Sequence, residues 1–230
     1  MEPMAGRLAE VRERVARAAA GVGRDPDAVE LLPVTKGHPV AAIEAVVESG
    51  LAAIGENRVP EAAAKQAELG GRAGVRWHLI GRLQRNKARR AIQLFDVIES
   101  VDSLKLARAL SRIAQEEERE SVEILLQVNA AGETQKAGFA PDELPGALEQ
   151  VLALPALGVA GLMTMAPYTG DERVLRATFR RIRELSERCA AEVPGFEGRV
   201  LSMGMSNDFE IAIEEGSTRV RLGTVLLGER

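Results

Sequence analysis

Short apolar runs alternate with longer stretches rich in Ala, Glu and Arg along almost the whole chain. The runs at 30–35, 52–55, 75–80, 95–100, 122–128, 158–163, 200–204 and 219–224 have the length and composition of strands. Helical patterns begin between them near Pro39, Arg58, Leu83, Ser103, Pro141, Asp171 and Ser206. Short apolar strands separated by amphipathic helices predict a parallel sheet covered by helices. Eight strands in regular alternation favour an α/β fold closed into a (β/α)8 TIM-type barrel. An extra helix, roughly 5–20, precedes the first strand. Periodicity does not report closure, so an open doubly wound sheet fits the same pattern. The first strand is followed by Thr35-Lys36-Gly37-His38-Pro39 rather than by G-x-G-x-x-G, which argues against a dinucleotide turn. The joins at 129–138 and 164–170 are the longest without a pattern, and no linker divides the chain, so a single barrel domain over 1–230 is expected.

Composition narrows the functional classes. With 230 residues, 46% of them hydrophobic, the chain can bury a barrel-sized core. A net charge of -4 is unsuited to nucleic-acid binding, which needs clustered positive charge. The single cysteine, Cys189, cannot form an intramolecular disulfide and lies in the helical run 174–191, so it reads as a packed thiol rather than a nucleophile. The opening MEPMAGRLAEVRERVARAAAG lacks the continuous apolar stretch of a signal peptide, and no segment approaches a membrane span. A soluble, cytoplasmic protein without membrane contact is expected. No His, Cys and carboxylate cluster has metal-ligand spacing, so no metal is expected.

In a barrel of this kind, chemistry gathers at the C-terminal ends of the strands. Lys36 ends the first apolar run, LLPVTK. A strand-end lysine is by default a snorkelling surface residue. At a barrel mouth the same ammonium points into the site, where low dielectric and nearby cations would leave a neutral amine able to condense with an aldehyde. Lys65, Lys87, Lys105 and Lys136 fall on helices or loops and lack that setting. The seventh strand, VLSMGM, runs into Ser206-Asn207-Asp208, a cluster suited to capping the following helix, and the eighth, RVRLGT, ends on Gly223 and Thr224. Loops after strands seven and eight often grip phosphate. Ordinary capping and turning explain the same residues equally well. Arg219 and Arg221 share a strand face with Gly223, so one of them is expected to point into the barrel, with a carboxylate as its default partner. Asn57, after strand two, reads first as a cap for the helix near Arg58. His78 reads as a hydrogen-bonded barrel residue, His38 as a loop residue, and the basic run 82–90 as a helix with one solvated basic face.

Three motifs carry a wider resemblance: IGEN (54–57), WHLIGRLQRNK (77–87) and LSMGMSNDFEIAIEEGSTRVRLGT (201–224). Through them, and over almost its whole length, the chain resembles the pyridoxal phosphate homeostasis proteins (the YggS/PROSC family), which are related to the N-terminal barrel of alanine racemase. The resemblance implies pyridoxal 5′-phosphate (PLP) as cofactor, held as a Schiff base on Lys36. It implies that Asn57, Ser206, Arg221, Gly223 and Thr224 line the cofactor, with Ser206, Gly223 and Thr224 at the phosphate and Arg221 facing the pyridine nitrogen. His78 and Met203 fall in the motifs without a defined role. Gly37-His38 before Pro39, Arg82 and Arg85 in the third-strand motif, and the 129–138 loop depart from the family pattern.

The resemblance implies a role in vitamin B6 and amino-acid homeostasis, with reversible capture of PLP, no catalytic residues, and PLP-dependent apo-enzymes as partners. Arg221 opposite the pyridine nitrogen would leave the ring unprotonated and a weaker electron sink. A fold-type III amino-acid racemase using Lys36 as one base is the alternative. In alanine racemase the second base is a tyrosine from a β-rich domain, for which this chain is expected to have no room; its single tyrosine, Tyr168, falls after strand six. A lysine-dependent aldolase acting on a phosphorylated sugar is a third class compatible with Lys36 and a phosphate site.

Overall fold

The computed structural model describes residues 4–71, 74–132 and 137–229. Helix α1 (Met4–Gly21) precedes β1 (Glu30–Pro33), after which strand and helix alternate. The succession is α2 (Val40–Glu48), β2 (Ala53–Glu56), α3 (Val59–Glu68), β3 (Arg76–Leu79), α4 (Ala88–Leu94), β4 (Val97–Val101), α5 (Leu104–Glu116) and β5 (Val122–Gln127). It continues with α6 (Leu144–Leu152), β6 (Leu157–Met163), α7 (Glu172–Glu192), β7 (Val200–Met205), α8 (Phe209–Glu214), β8 (Arg219–Leu222) and α9 (Thr224–Leu227).

Every strand pair is parallel, in the order β1-β8-β7-β6-β5-β4-β3-β2. The two ends of that order meet: Val34 bridges Gly55, and the Thr35 N–H donates to the Gly55 carbonyl at 3.0 Å. The sheet is therefore a barrel of the (β/α)8 type, as the alternation predicts. Its closure places the first and last strands side by side, with Pro33 opposite Leu222.

Alternation along each strand sorts the side chains into two layers. Trp77, Leu79 and Ile98 point outward and pack with Ile92, Leu106, Leu110 and Phe179 from the helices. His78 and Glu99, one position out of phase, point into the barrel. A second cluster joins α1 to the end of the chain: Leu8, Val11 and Val15 pack on Phe209, Ile213, Val220 and Leu226. Each such side chain contributes about 1.5–3 kcal/mol when fully buried. Arg14 adds a paired contact to Glu210 (2.8 and 3.0 Å) and lies 4.6 Å from the centre of the Phe209 ring.

Three helix starts differ from the sequence expectation. The helix expected near Leu83 begins at Ala88, after an extended Gln84 and a single 3-10 turn at Arg85–Lys87. Cations in a first helical turn oppose the macrodipole, and neither Gln84 nor Lys87 makes a side-chain cap. The basic run is thus exposed as expected, but only its last three residues lie in the α-helix, the rest forming an extended segment and the 3-10 turn. The helix expected near Pro141 begins at Leu144, with Pro145 in its first turn. The one expected near Ser206 begins at Phe209. Cys189 is fully buried in α7, and burial pushes its thiol up. Among the described residues no helix is long and apolar enough to cross a membrane. Lys136 and residues 133–135 of the 129–138 loop lie outside the described residues.

Candidate functional site

Lys36 sits at the C-terminal mouth of the barrel in a tight turn. The His38 N–H donates to the Thr35 carbonyl at 3.0 Å, and Gly37, third in the turn, has φ 74°. A third position with positive φ is what a type II turn demands, and glycine meets it without strain. Gly37, a departure from the family pattern, is thus what shapes the lysine loop. The Lys36 side chain is half-buried.

Beneath the mouth a polar network spans the barrel interior. Glu99 of β4 accepts from Arg219 of β8 at 3.1 Å, from Ser202 of β7 at 2.5 Å, and pairs with Nδ1 of His78 of β3 at 2.8 Å. Burial opposes its ionisation, but the hydrogen bond to His78 and the charges of Arg219 and Arg221 outweigh it and hold the carboxyl at about 2. His78 is therefore the bonded barrel residue its sequence context suggests, and its buried Nε2 has no protein partner.

Both strand-eight arginines point inward, where only one was expected. Arg219 takes the carboxylates, Glu30 at 2.8 Å and Glu99 at 3.1 Å. Arg221 instead donates to neutral oxygens: the Ser202 carbonyl (2.7 Å), the Ser202 hydroxyl (2.8 Å) and the Thr164 carbonyl (2.8 Å). A guanidinium carries five N–H donors, so Arg221 keeps two beyond these three bonds. Burial lowers its pKa.

The loops after β7 and β8 meet beside Lys36. Ser206 does not cap α8; Asp208 occupies that position, and its carboxylate accepts the Met205 N–H at 2.6 Å. The Ser206 hydroxyl instead accepts the Val225 N–H, at 3.5 Å, in the first turn of α9. Gly223 and Thr224 start that helix rather than finish the strand. A Cβ on Gly223 would meet only Val34, at 3.8 Å or more, so protein atoms leave this face of the backbone open.

Asn57 is likewise no cap: Arg58 holds that position before α3. Its half-buried side chain lies against Gly81, where any Cβ would collide with the Asn57 carbonyl and amide. A cleft of about 620 Å³ opens alongside, lined in part by Arg58, Arg82, Arg85, Lys87 and Lys105. It includes Asn57 but none of Lys36, Ser206, Arg221 or Gly223, so it lies beside this site. Met203 is fully buried in the main core and does not face the mouth. Among the described residues no group of three His, Cys, Asp or Glu could hold a metal ion.

Sequence reasoning missed Lys65. It lies on a helix, as expected, yet its ammonium is buried against the Lys36 loop, donating to the Thr35 carbonyl at 2.7 Å. Helical phase marks α3 as amphipathic but does not say which loop its face covers.

Comparison with known proteins places the chain in a family. The alanine racemase N-terminal domain family matches residues 7–230. Over its full length the chain is 42% identical to the pyridoxal phosphate homeostasis protein of Pseudomonas aeruginosa, spanning 97% of that protein. The chain belongs to the pyridoxal phosphate homeostasis protein family. The structure of PipY from Synechococcus elongatus PCC7942 with PLP bound superposes with a TM-score of 0.85 at 40% identity, covering 98% of this chain and 100% of that one. The same protein without PLP superposes at 0.88 with 41% identity. Alanine racemase from Clostridium difficile 630 shares the fold, with a TM-score of 0.80 at 14% identity over 57% of its length.

Proposed function

We propose that this chain is a PLP-binding homeostasis protein, a single barrel domain over 1–230 that holds PLP reversibly on Lys36 and does not turn over a substrate. The observation that carries the reading is barrel closure: it sets β1 against β8 and so brings Lys36, Gly223 and Ser206 to one side of the mouth. The donor set fits the group. Lys36 supplies an amine, Ser206 and Thr224 hydroxyls, Gly223 an open stretch of backbone, and Arg221 two uncommitted N–H donors.

In this reading Ser206, Gly223 and Thr224 hold the phosphate, Asn57 donates to a ring oxygen, and Arg221 faces the pyridine nitrogen. PLP would supply an aldehyde, which the Lys36 amine would take with loss of one water as a reversible covalent tether. Arg221 would donate to the ring nitrogen without passing it a proton, which suits storage better than carbanion chemistry. The Pseudomonas aeruginosa relative, 42% identical over the full chain, carries a homeostasis name rather than an enzyme's, in line with a carrier. PLP-dependent apo-enzymes are the partners this role requires, and a cytoplasmic location suits it.

Equilibrium dialysis with PLP tests the assignment. Wild-type protein is expected to retain one PLP per chain, and Lys36→Ala to lose most of that retention. Equal retention by both would overturn Lys36 as the anchor. A chiral amino-acid assay of the PLP-loaded protein tests the carrier role: sustained alanine racemisation at ordinary enzyme rates, about 1 per second or faster, would contradict it.

A further inference from the structure

Lys65 and Glu61 form an ion pair one helical turn apart on α3, at 2.9 Å. The Lys65 side chain is only 8% exposed. All three of its ammonium hydrogens are engaged, by the Thr35 carbonyl (2.7 Å), Glu56 (2.7 Å) and Glu61 (2.9 Å). Glu61 Oε1 also accepts the Gly37 N–H at 2.5 Å. Thr35 and Gly37 are the two neighbours of Lys36. The pair thus grips the carbonyl before the lysine and the amide after it. Glu56, which also accepts the Thr35 hydroxyl at 2.5 Å, ties the clamp to β2.

Such an arrangement is more than Lys65 needs for its own burial. One carboxylate would balance the charge, and a helix-surface lysine of this length could reach solvent at low cost. The ammonium instead lies against the turn whose second residue is Lys36. Short hydrogen bonds to a charged partner are roughly twice as strong as neutral ones, so they hold that turn against fraying.

We infer that Lys65 and Glu61 are positioning residues for Lys36, fixing the turn that aims its amine into the barrel mouth. The inference rests on the reading of Lys36 as the amine that takes the aldehyde. Its consequence is kinetic: a fixed turn presents the amine in one orientation, whereas a frayed one must find it at each encounter.

Glu61 provides the cleanest test, because its side chain is 28% exposed in the first turn of α3 and the core does not depend on it. Glu61→Met removes the acceptor for the Gly37 amide, while Glu61→Gln keeps one. The pair Glu56→Gln with Lys65→Met removes the ammonium together with a buried charge it balances. Two readouts apply to the full-length protein. Hydrogen exchange of the Gly37 amide is followed without PLP. The rate of trapping Lys36 with PLP and borohydride is read by peptide mass against the Lys87 and Lys105 peptides.

Glu61→Met is expected to speed Gly37 exchange and slow Lys36 trapping roughly tenfold or more. Glu61→Gln is expected to restore most of that rate, and labelling of Lys87 and Lys105 to stay constant. The Glu56 and Lys65 double variant, if folded, follows Glu61→Met; if it unfolds, the two Glu61 variants decide. Trapping at the wild-type rate in Glu61→Met, or unchanged Gly37 exchange, overturns the positioning role and leaves Lys36 as anchor untouched. Failure to trap Lys36 in the wild type overturns both.

Discussion

At the scale of single residues, the site divides into side chains committed to the protein and side chains with capacity left over. Arg219 is committed, bound to two carboxylates. Arg221 binds three neutral oxygens and keeps two donors, which is why it, and not its neighbour, is assigned to the ligand. Ser206 is a second case. It does not cap α8, and its bond from the Val225 N–H of α9 is long at 3.5 Å, so Ser206→Ala is expected to cost no more than about 1 kcal/mol of thermal stability. Its affinity for PLP should fall roughly tenfold, the loss of one hydrogen bond to a charged group. A melting curve and a PLP titration of the same variant check both halves; a large stability loss would return Ser206 to a structural role. The place of Lys36 at the barrel mouth was legible in the sequence because a strand end is a local feature. Lys65 was not, because its role depends on where α3 lies over the loop between β1 and α2.

Among elements, the β-strand ends do the positioning and the helices hold them in place. Gly81, just past β3, lets the Asn57 loop after β2 lie directly against it. Gly81→Ala forces the two loops apart, with an expected cost of about 2–3 kcal/mol in the range for overpacking. It should weaken PLP binding as well, because Asn57 moves. Denaturant unfolding and PLP titration read the two effects, and a neutral Gly81→Ala would contradict the close approach. Helix α1 serves the other side of the mouth: it packs on α8 and α9, and Arg7 donates to the Leu226 carbonyl at the end of α9 at 2.8 Å. All eight strands were legible to within two residues at either end, because each apolar run is buried on both faces. Helix starts were less legible where charge or proline in the first turn displaced them, as at Ala88 and Leu144.

For the molecule as a whole, the apolar pattern predicted a barrel, and what it could not show was the polar interior. Glu99, His78, Ser202 and Arg219 come from four strands, and alternation marks them as inward-facing only once closure is known. Glu99 makes that interior sensitive to acid. Its folded carboxyl titrates at about 2 against an ordinary 4.5, so its contribution is complete above 4.5 and is lost as pH falls toward 2. The amount is about 3 kcal/mol. Urea unfolding from pH 5 to pH 2 should show this loss, and Glu99→Gln should flatten it. That variant should also be less stable at pH 7 by about 3 kcal/mol, because Arg219, though it keeps Glu30, and Arg221 both lose the attraction of a buried carboxylate. An unchanged acid limb in Glu99→Gln would remove Glu99 as the cause. The central claim, that closure brings an amine and a phosphate cradle together around Lys36, is tested most directly by borohydride reduction of the PLP-loaded protein and peptide mass mapping. One pyridoxyl adduct is expected, on Lys36; an unmodified Lys36, or an adduct confined to other lysines, would contradict that claim.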